Sequence, residues 1–153
     1  MKFSDLSISQ ETVSRLEENG ITEPTEVQEK AIPEVLNGKD LLVESETGSG
    51  KTLAFSLPII ENLEGDETEA LVLSPTRELA KQITAEIEMA SERIDAVTIY
   101  GGVDYEPQIQ GAKTANIIVG TPGRVLDLLQ KGKIDVSGLE YFVLDEADRM
   151  LDM

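Results

Sequence analysis

Five short runs rich in valine, isoleucine and leucine set the strongest limit on how this chain folds. They are DLLVES at 40–45, EALVLS at 69–74, AVTIYGG at 96–102, ANIIVGT at 115–121 and LEYFVLD at 139–145. Runs of this length and composition suit strands buried on both faces. Longer stretches separate them. The clearest, RELAKQITAEIEMASERI, sets Leu79, Ile83 and Ile87 on one helical face. Strands alternating with amphipathic helices predict an α/β fold with a mainly parallel sheet, flanked by helices on both faces. Ligands of such folds gather at the carboxyl ends of the strands. Two further helices are expected near the start of the chain. One is capped by Ser9 and runs to Asn19, ending at Gly20; the other opens near Pro24 and Thr25 and closes at Asn37 and Gly38.

The length of 153 residues suits one domain with a real core. With no cysteine and no histidine, disulfides, thiolate metal sites, histidine acid–base chemistry and the usual zinc ligand sets are excluded. No apolar run is long enough to span a bilayer, and the chain does not open on a basic segment followed by an apolar one. The expectation is a cytoplasmic protein with no membrane partner. Charge is less ordinary. Thirty acids against 13 bases leave a net −17, which opposes a polyanionic partner in general. Any site for phosphates must therefore be local.

Such a site is visible in LLVESETGSGKT, residues 41–52. A strand, a glycine turn and a helix beginning near Lys51 would form a nest of backbone N–H groups that accepts phosphate oxygens. Gly48 and Gly50 let the chain curl closely around an anion. Lys51 can reach the β- and γ-phosphates, and the Thr52 hydroxyl can join a Mg²⁺ shell. The pattern G-x-x-x-x-G-K-[ST] is matched except at its first position, where Ser45 stands. The cradle thus comprises Ser45, Glu46, Thr47, Gly48, Ser49, Gly50, Lys51 and Thr52. YFVLDEADRM supplies carboxylates after another strand: Asp145 suits Mg²⁺ through water, and Glu146 suits orienting or deprotonating an attacking water.

Gly-Lys-Thr at 50–52 and Asp-Glu-Ala-Asp at 145–148 resemble the motifs of the DEAD-box RNA helicases, specifically their first RecA-like domain. PTRELA (75–80), the glycine pair 101–102 and TPGR (121–124) are similar to that family's RNA-contact motifs. GITEPTEVQ (20–28) is similar to its adenine-recognition motif, with Gln28 as the glutamine and Phe3 as the isolated upstream aromatic. Ser45, where the family usually has alanine, and Ile21, where it often has phenylalanine, are small departures. The resemblance covers essentially the whole chain. It implies a RecA-like P-loop NTPase fold that takes ATP and Mg²⁺, with Lys51, Asp145 and Glu146 catalytic and Thr52 and Asp145 serving the metal. It also implies RNA contact through Pro75, Thr76, Arg77, Gly101, Gly102, Thr121, Pro122, Gly123 and Arg124, with Asp148 coupling motifs between domains. A Ser-Ala-Thr motif and a second RecA-like domain would follow in the family. The chain is therefore expected to be a piece of a longer enzyme, lacking the last strand or strands of its sheet. Residues 1–37 are read as a helical segment carrying Gln28, and 38–153 as a partial RecA-like core, together one domain.

The residue types suit these roles. The Gln28 carboxamide offers the donor and acceptor that an adenine N6 and N7 edge requires, while the expected work of Phe3 is packing near the base. Thr76 and Thr121 can cap helices or donate to phosphate, and Pro122 suits a first helical turn. Arg77 and Arg124 offer forked donors, although Arg77 can instead brace its loop or take a carboxylate partner. Such a groove would follow RNA shape and backbone, not base sequence. Lys131 and Lys133 read as solvated loop charges, and Val125, Leu128 and Leu129 as an apolar helix face. Two other classes remain open: a P-loop helicase or translocase acting on DNA, and a non-catalytic nucleotide-binding interaction module.

Overall fold

The computed structural model describes residues 1–46 and 48–151. Among the cradle residues, Thr47 lies outside the described residues. The chain divides into two compact units, Met1–Leu63 with Met89–Glu92, and Glu64–Glu88 with Arg93 onward.

The first unit is helical. A short 3₁₀ turn, Phe3–Leu6, precedes α1 (Gln10–Glu18), α2 (Glu26–Leu36) and α3 (Lys51–Asn62). The ends fall where the local chemistry sets them. Ser9 Oγ accepts from the Thr12 N–H to cap α1, and Gly20 follows in the left-handed region at φ +78°. Thr25 and Gln28 close a reciprocal capping box on α2, which stops at Asn37 and Gly38. Helices α2 and α3 pack against each other, and Leu16, Ile32, Leu57 and Ile60 are fully buried. Each such side chain contributes about 1.5–3 kcal/mol through burial.

The run at 40–45 is not a strand. It is irregular backbone, with Leu42 exposed at 90%. Extended sequence becomes a strand only where a neighbour supplies ladder hydrogen bonds, and among the described residues none does so here.

The second unit holds the sheet. Its strands are β1 (Ala70–Leu73), β2 (Ala96–Ile99), β3 (Ile117–Gly120) and β4 (Tyr141–Leu144), all parallel, in the order β2-β3-β1-β4. Helix α4 (Arg77–Ala90) follows β1, α5 (Tyr105–Thr114) follows β2, α6 (Pro122–Gln130) follows β3, and the single turn α7 (Ala147–Met150) follows β4. Leu71, Ile99 and Ile118 on one sheet face pack with Val125 and Leu128 of α6 and Ile109 and Ala112 of α5. On the other face Thr98 donates to Thr84 of α4, whose Ile83 and Ile87 are buried as their spacing predicted. Both faces are thus covered by helices, as an all-parallel sheet requires.

Connections from β1 lead one way across the sheet, through α4 to β2. Those from β3 lead the other way, through α6 to β4, so the direction switches between β3 and β1. In open α/β sheets the carboxyl-end crevice at such a switch is the usual ligand position.

Candidate functional site

In the first unit, Gly50 is the N-cap of α3, at φ +88° and ψ 24°. A side chain there would be strained, and a Cβ would sit 2.5 Å from Gln28 Nε2 and 3.0 Å from Thr25 Oγ1. Gly48 is also left-handed, at φ +85°, but its Cβ position faces open space. Ser45 and Ser49 share a hydrogen bond between their hydroxyls at 2.8 Å, so the serine that departs from the loop pattern ties one side of the turn to the other. The Ser49 N–H donates to the Glu46 carbonyl at 3.2 Å. Lys51 and Thr52 open α3, both half-buried, and Lys51 forms no ion pair among the described residues.

Gln28 is buried, at 3% exposure, and both ends of its carboxamide are engaged. Oε1 accepts from the Thr25 N–H at 2.9 Å, and Nε2 donates to the Gly50 carbonyl at 3.1 Å. An amide has two N–H groups and two lone pairs, so one of each remains for a ligand edge. Phe3 is a core side chain, at 1% exposure. Its ring would have to be uncovered before it could touch a base.

In the second unit every motif follows directly on a strand. The ladder continues past the strand ends: Ser74 N–H donates to the Gly120 carbonyl, Thr121 N–H to Ile99, and Asp145 N–H to Leu73, each at 2.9 Å. The first residues after β1, β3 and β4 are therefore held by the sheet itself. Gly120 is small for a local reason. A Cβ would lie 2.7 Å from the Ile99 carbonyl and 2.4 Å from Val125 Cγ2.

After β1, Thr76 Oγ1 accepts from the Leu79 N–H at 3.2 Å and caps α4, with Pro75 half-buried beside it. Arg77 takes the carboxylate partner that sequence left open, pairing with Glu78 at 3.2 Å. Gly101 and Gly102 are exposed, and nothing lies within 4 Å of a Cβ on either. Gly123 has the same open space. Thr121 is the N-cap of α6 but makes no capping bond through its side chain, and Pro122 occupies the first turn.

Arg124 joins two of these loops. Nη2 donates to the Val103 carbonyl at 2.9 Å, just beyond the glycine pair, and Nη1 to Gln108 Oε1 at 3.1 Å. Gln108, itself buried, donates from Nε2 to the Tyr100 carbonyl at 3.0 Å. Sequence reasoning missed Gln108. Only its apolar surroundings on α5 mark it, and these do not show that its amide is used.

After β4, Glu146 adopts φ 54° and ψ 50°, a left-handed conformation uncommon for glutamate, and accepts from Arg149 Nη1 at 2.8 Å. Arg149 was not read as a functional residue, although its position three residues on from Glu146 is the signal for such a pair. Asp145 is half-buried and Asp148 exposed.

The helix starts differ in charge. Acids occupy the first turns of α1, α2, α4, α5 and α7, where the helix dipole favours them. Among the described helices only α3 and α6 lack one, and these place Lys51 and Arg124 there instead. In so acidic a chain, a cation at the positive end of a helix makes electrostatic sense when an anion joins it.

The profile of the DEAD/DEAH box helicase family matches residues 25–153. A probable ATP-dependent RNA helicase of Methanocaldococcus jannaschii is 43% identical over 157 aligned residues, covering 100% of this chain and 43% of the relative. Among solved structures, a DEAD box protein from the hyperthermophile Methanococcus jannaschii superposes with a TM-score of 0.95 at 43% identity, covering all of this chain and 43% of that one. A hypothetical ATP-dependent RNA helicase from Sulfolobus tokodaii gives a TM-score of 0.89 at 41% identity, over 95% of this chain and 44% of that one. The chain thus spans less than half the length of the relatives it matches. With its parallel sheet, glycine cradle and strand-end motifs, it belongs to the DEAD/DEAH box helicase family, as the N-terminal RecA-like domain.

Proposed function

We propose that this domain binds ATP through residues 45–52 and Gln28, and holds an RNA backbone along the loops after β1, β2 and β3. The observation that carries the reading is the pair of acid-free helix starts, with Lys51 on α3 and Arg124 on α6. Each is a local exception within a net charge of −17, and each lies within a motif that the family shares.

The donor set fits the nucleotide and its metal. Left-handed Gly48 and Gly50 leave backbone N–H groups to face phosphate, and Lys51 adds a point charge. The Thr52 hydroxyl and the Asp145 carboxylate are each a hard oxygen donor of the kind Mg²⁺ takes. When bound, Mg²⁺ supplies charge neutralisation at the phosphates. Glu146 orients the attacking water and accepts its proton, and Arg149 holds that carboxylate meanwhile. Thr76, Thr121 and Arg124 hold RNA phosphates, with Gly101, Gly102 and Gly123 allowing close approach.

The whole enzyme couples ATP binding and hydrolysis to local separation of RNA strands. It does so with a second RecA-like domain that completes the site and supplies further positive charge around the γ-phosphate. The 153-residue chain by itself binds nucleotide weakly and hydrolyses little, since such trans-supplied groups are worth orders of magnitude in rate. Calorimetric titration with Mg·ADP and Mg·GDP tests the site. The expected result is a preference for ADP that Gln28→Ala abolishes, and binding that Lys51→Ala weakens by about tenfold or more. A folded chain that binds both nucleotides equally, or whose binding ignores Lys51, would overturn the assignment. Robust RNA-stimulated turnover by this chain would overturn the expectation of weak hydrolysis.

A further inference from the structure

Lys131 and Tyr105 read in sequence as a solvated charge and an unremarked aromatic. In the structure the Tyr105 ring carries both Lys131 and the Arg124 guanidinium that the proposed function assigns to RNA. Arg124 Cζ lies 4.1 Å from the centre of the Tyr105 ring, and Lys131 Nζ lies 4.6 Å from it. The Tyr105 hydroxyl donates to Asp127 Oδ2, which also accepts from Lys131 Nζ at 3.3 Å. Tyr105 begins α5, and Arg124, Asp127 and Lys131 lie along α6 and its C-cap. The ring thus forms a platform set at its hydroxyl end by α6, bearing an arginine from the same helix.

We propose that Tyr105 is a positioning residue for the RNA contact of Arg124, an inference that rests on the RNA reading above. A guanidinium lying over an aromatic ring keeps its N–H groups in its own plane, free to bond sideways. Of the five N–H groups, Nη1 gives one to Gln108 and Nη2 gives one to Val103. Three remain without a partner among the described residues. Tyr105 and these two acceptors hold the plane, so the remaining edge is set before a phosphate arrives. The ordering cost of a long, flexible side chain is then met in the free protein, not on binding. Lys131, drawn over the same ring, adds a second positive charge beside it, offset in part by Asp127.

The test is a double-mutant cycle, read by fluorescence anisotropy with a short fluorescein-labelled oligouridylate at low ionic strength, using the 153-residue chain. Tyr105→Phe keeps the ring, loses the hydroxyl bond to Asp127, and is expected to weaken binding by less than about twofold. Tyr105→Leu removes the ring and is expected to bind about two- to fivefold more weakly. Placed in an Arg124→Ala background, Tyr105→Leu is expected to cause no further loss. The Arg124 Nε–Hε resonance gives an independent readout. It should carry a ring-current shift and respond to RNA in the parent and in Tyr105→Phe, and lose both features in Tyr105→Leu. Parent-like binding by Tyr105→Leu, or an equal loss with and without Arg124, would overturn the positioning role while leaving the RNA reading intact. If Arg124→Ala binds RNA as the parent does, the RNA reading of Arg124 fails and the role of Tyr105 fails with it.

Discussion

Gln28 donates through Nε2 to the Gly50 carbonyl at 3.1 Å while its Oε1 holds the Thr25 N–H at 2.9 Å. One carboxamide therefore closes the start of α2 and steadies the residue that starts α3. Gln28→Ala loses both bonds and is expected to cost about 1–2 kcal/mol in urea unfolding. Gln28→Glu keeps the capping acceptor but sets a buried carboxylate oxygen against the Gly50 carbonyl, and should cost more. Equal losses in the two variants would show that the contact with Gly50 contributes nothing.

Glu146 is held in the left-handed region at φ 54°. Asparagine tolerates that conformation better, so Glu146→Asn is expected to raise stability by about 1 kcal/mol while removing the carboxylate proposed to act on water. Thermal melting checks the first effect. A lower midpoint would show that the pair with Arg149 outweighs the backbone strain.

Gly120 meets the Ile99 carbonyl and Val125 Cγ2 with no room for a methyl group. Gly120→Ala forces β3 and α6 apart and is expected to destabilise the chain by about 1–3 kcal/mol. Denaturant unfolding at constant slope would measure it. An unchanged midpoint would mean that Val125 can simply turn aside.

Ser74 is fully buried, and its Oγ has no hydrogen-bond partner among the described residues. Removing an unsatisfied hydroxyl is favourable, so Ser74→Ala is expected to gain about 1 kcal/mol. A loss on unfolding measurements would reveal a partner that this hydroxyl needs.

Much of this was legible in the sequence. Strands β1 to β4 fall inside four of the five apolar runs, since short buried strands bear a local signature. The caps at Ser9, Thr25, Gly20 and Gly38 are likewise local chemistry. The run at 40–45 misled because extended character is local but pairing is not: a strand needs a neighbour that its own residues do not encode. The same limit hid the surroundings of Arg124. Its motif is four residues long, yet its partner Gln108 lies 16 residues away, brought there by the path of β3 between β2 and β1. Burial of Phe3 was the ordinary outcome for a phenylalanine, whatever its motif.

The Asp127 carboxyl is held below the ordinary aspartate value of 3.8, first by the Tyr105 hydroxyl; desolvation opposes this as the next largest effect, and Lys131 and Arg124 add smaller lowering contributions. A lowered value in the folded state means stability that is present above 3.8 and lost as pH falls through the depressed value. The matching rise at Lys131, due first to Asp127, is stability present below 10.5 and lost as pH climbs through the raised value. Between those limits the cluster keeps its charges. Carbon-detected titration of Asp127 is expected to show a midpoint below 3.8 that moves upward in Tyr105→Phe. An unmoved midpoint would remove the tyrosine hydroxyl as its cause.

Strand β4 pairs on one side with β1, and among the described residues its other side carries no ladder, with Phe142 and Leu144 about half exposed. A bare edge of this kind invites another edge. What opposes that meeting is mutual repulsion between molecules of net charge −17. Added electrolyte shortens the reach of that repulsion to roughly 8 Å at 0.15 M, and it also weakens any hold on phosphate. In a salt titration, colloidal behaviour and RNA affinity therefore change together, and light scattering recorded alongside the binding curve separates the two.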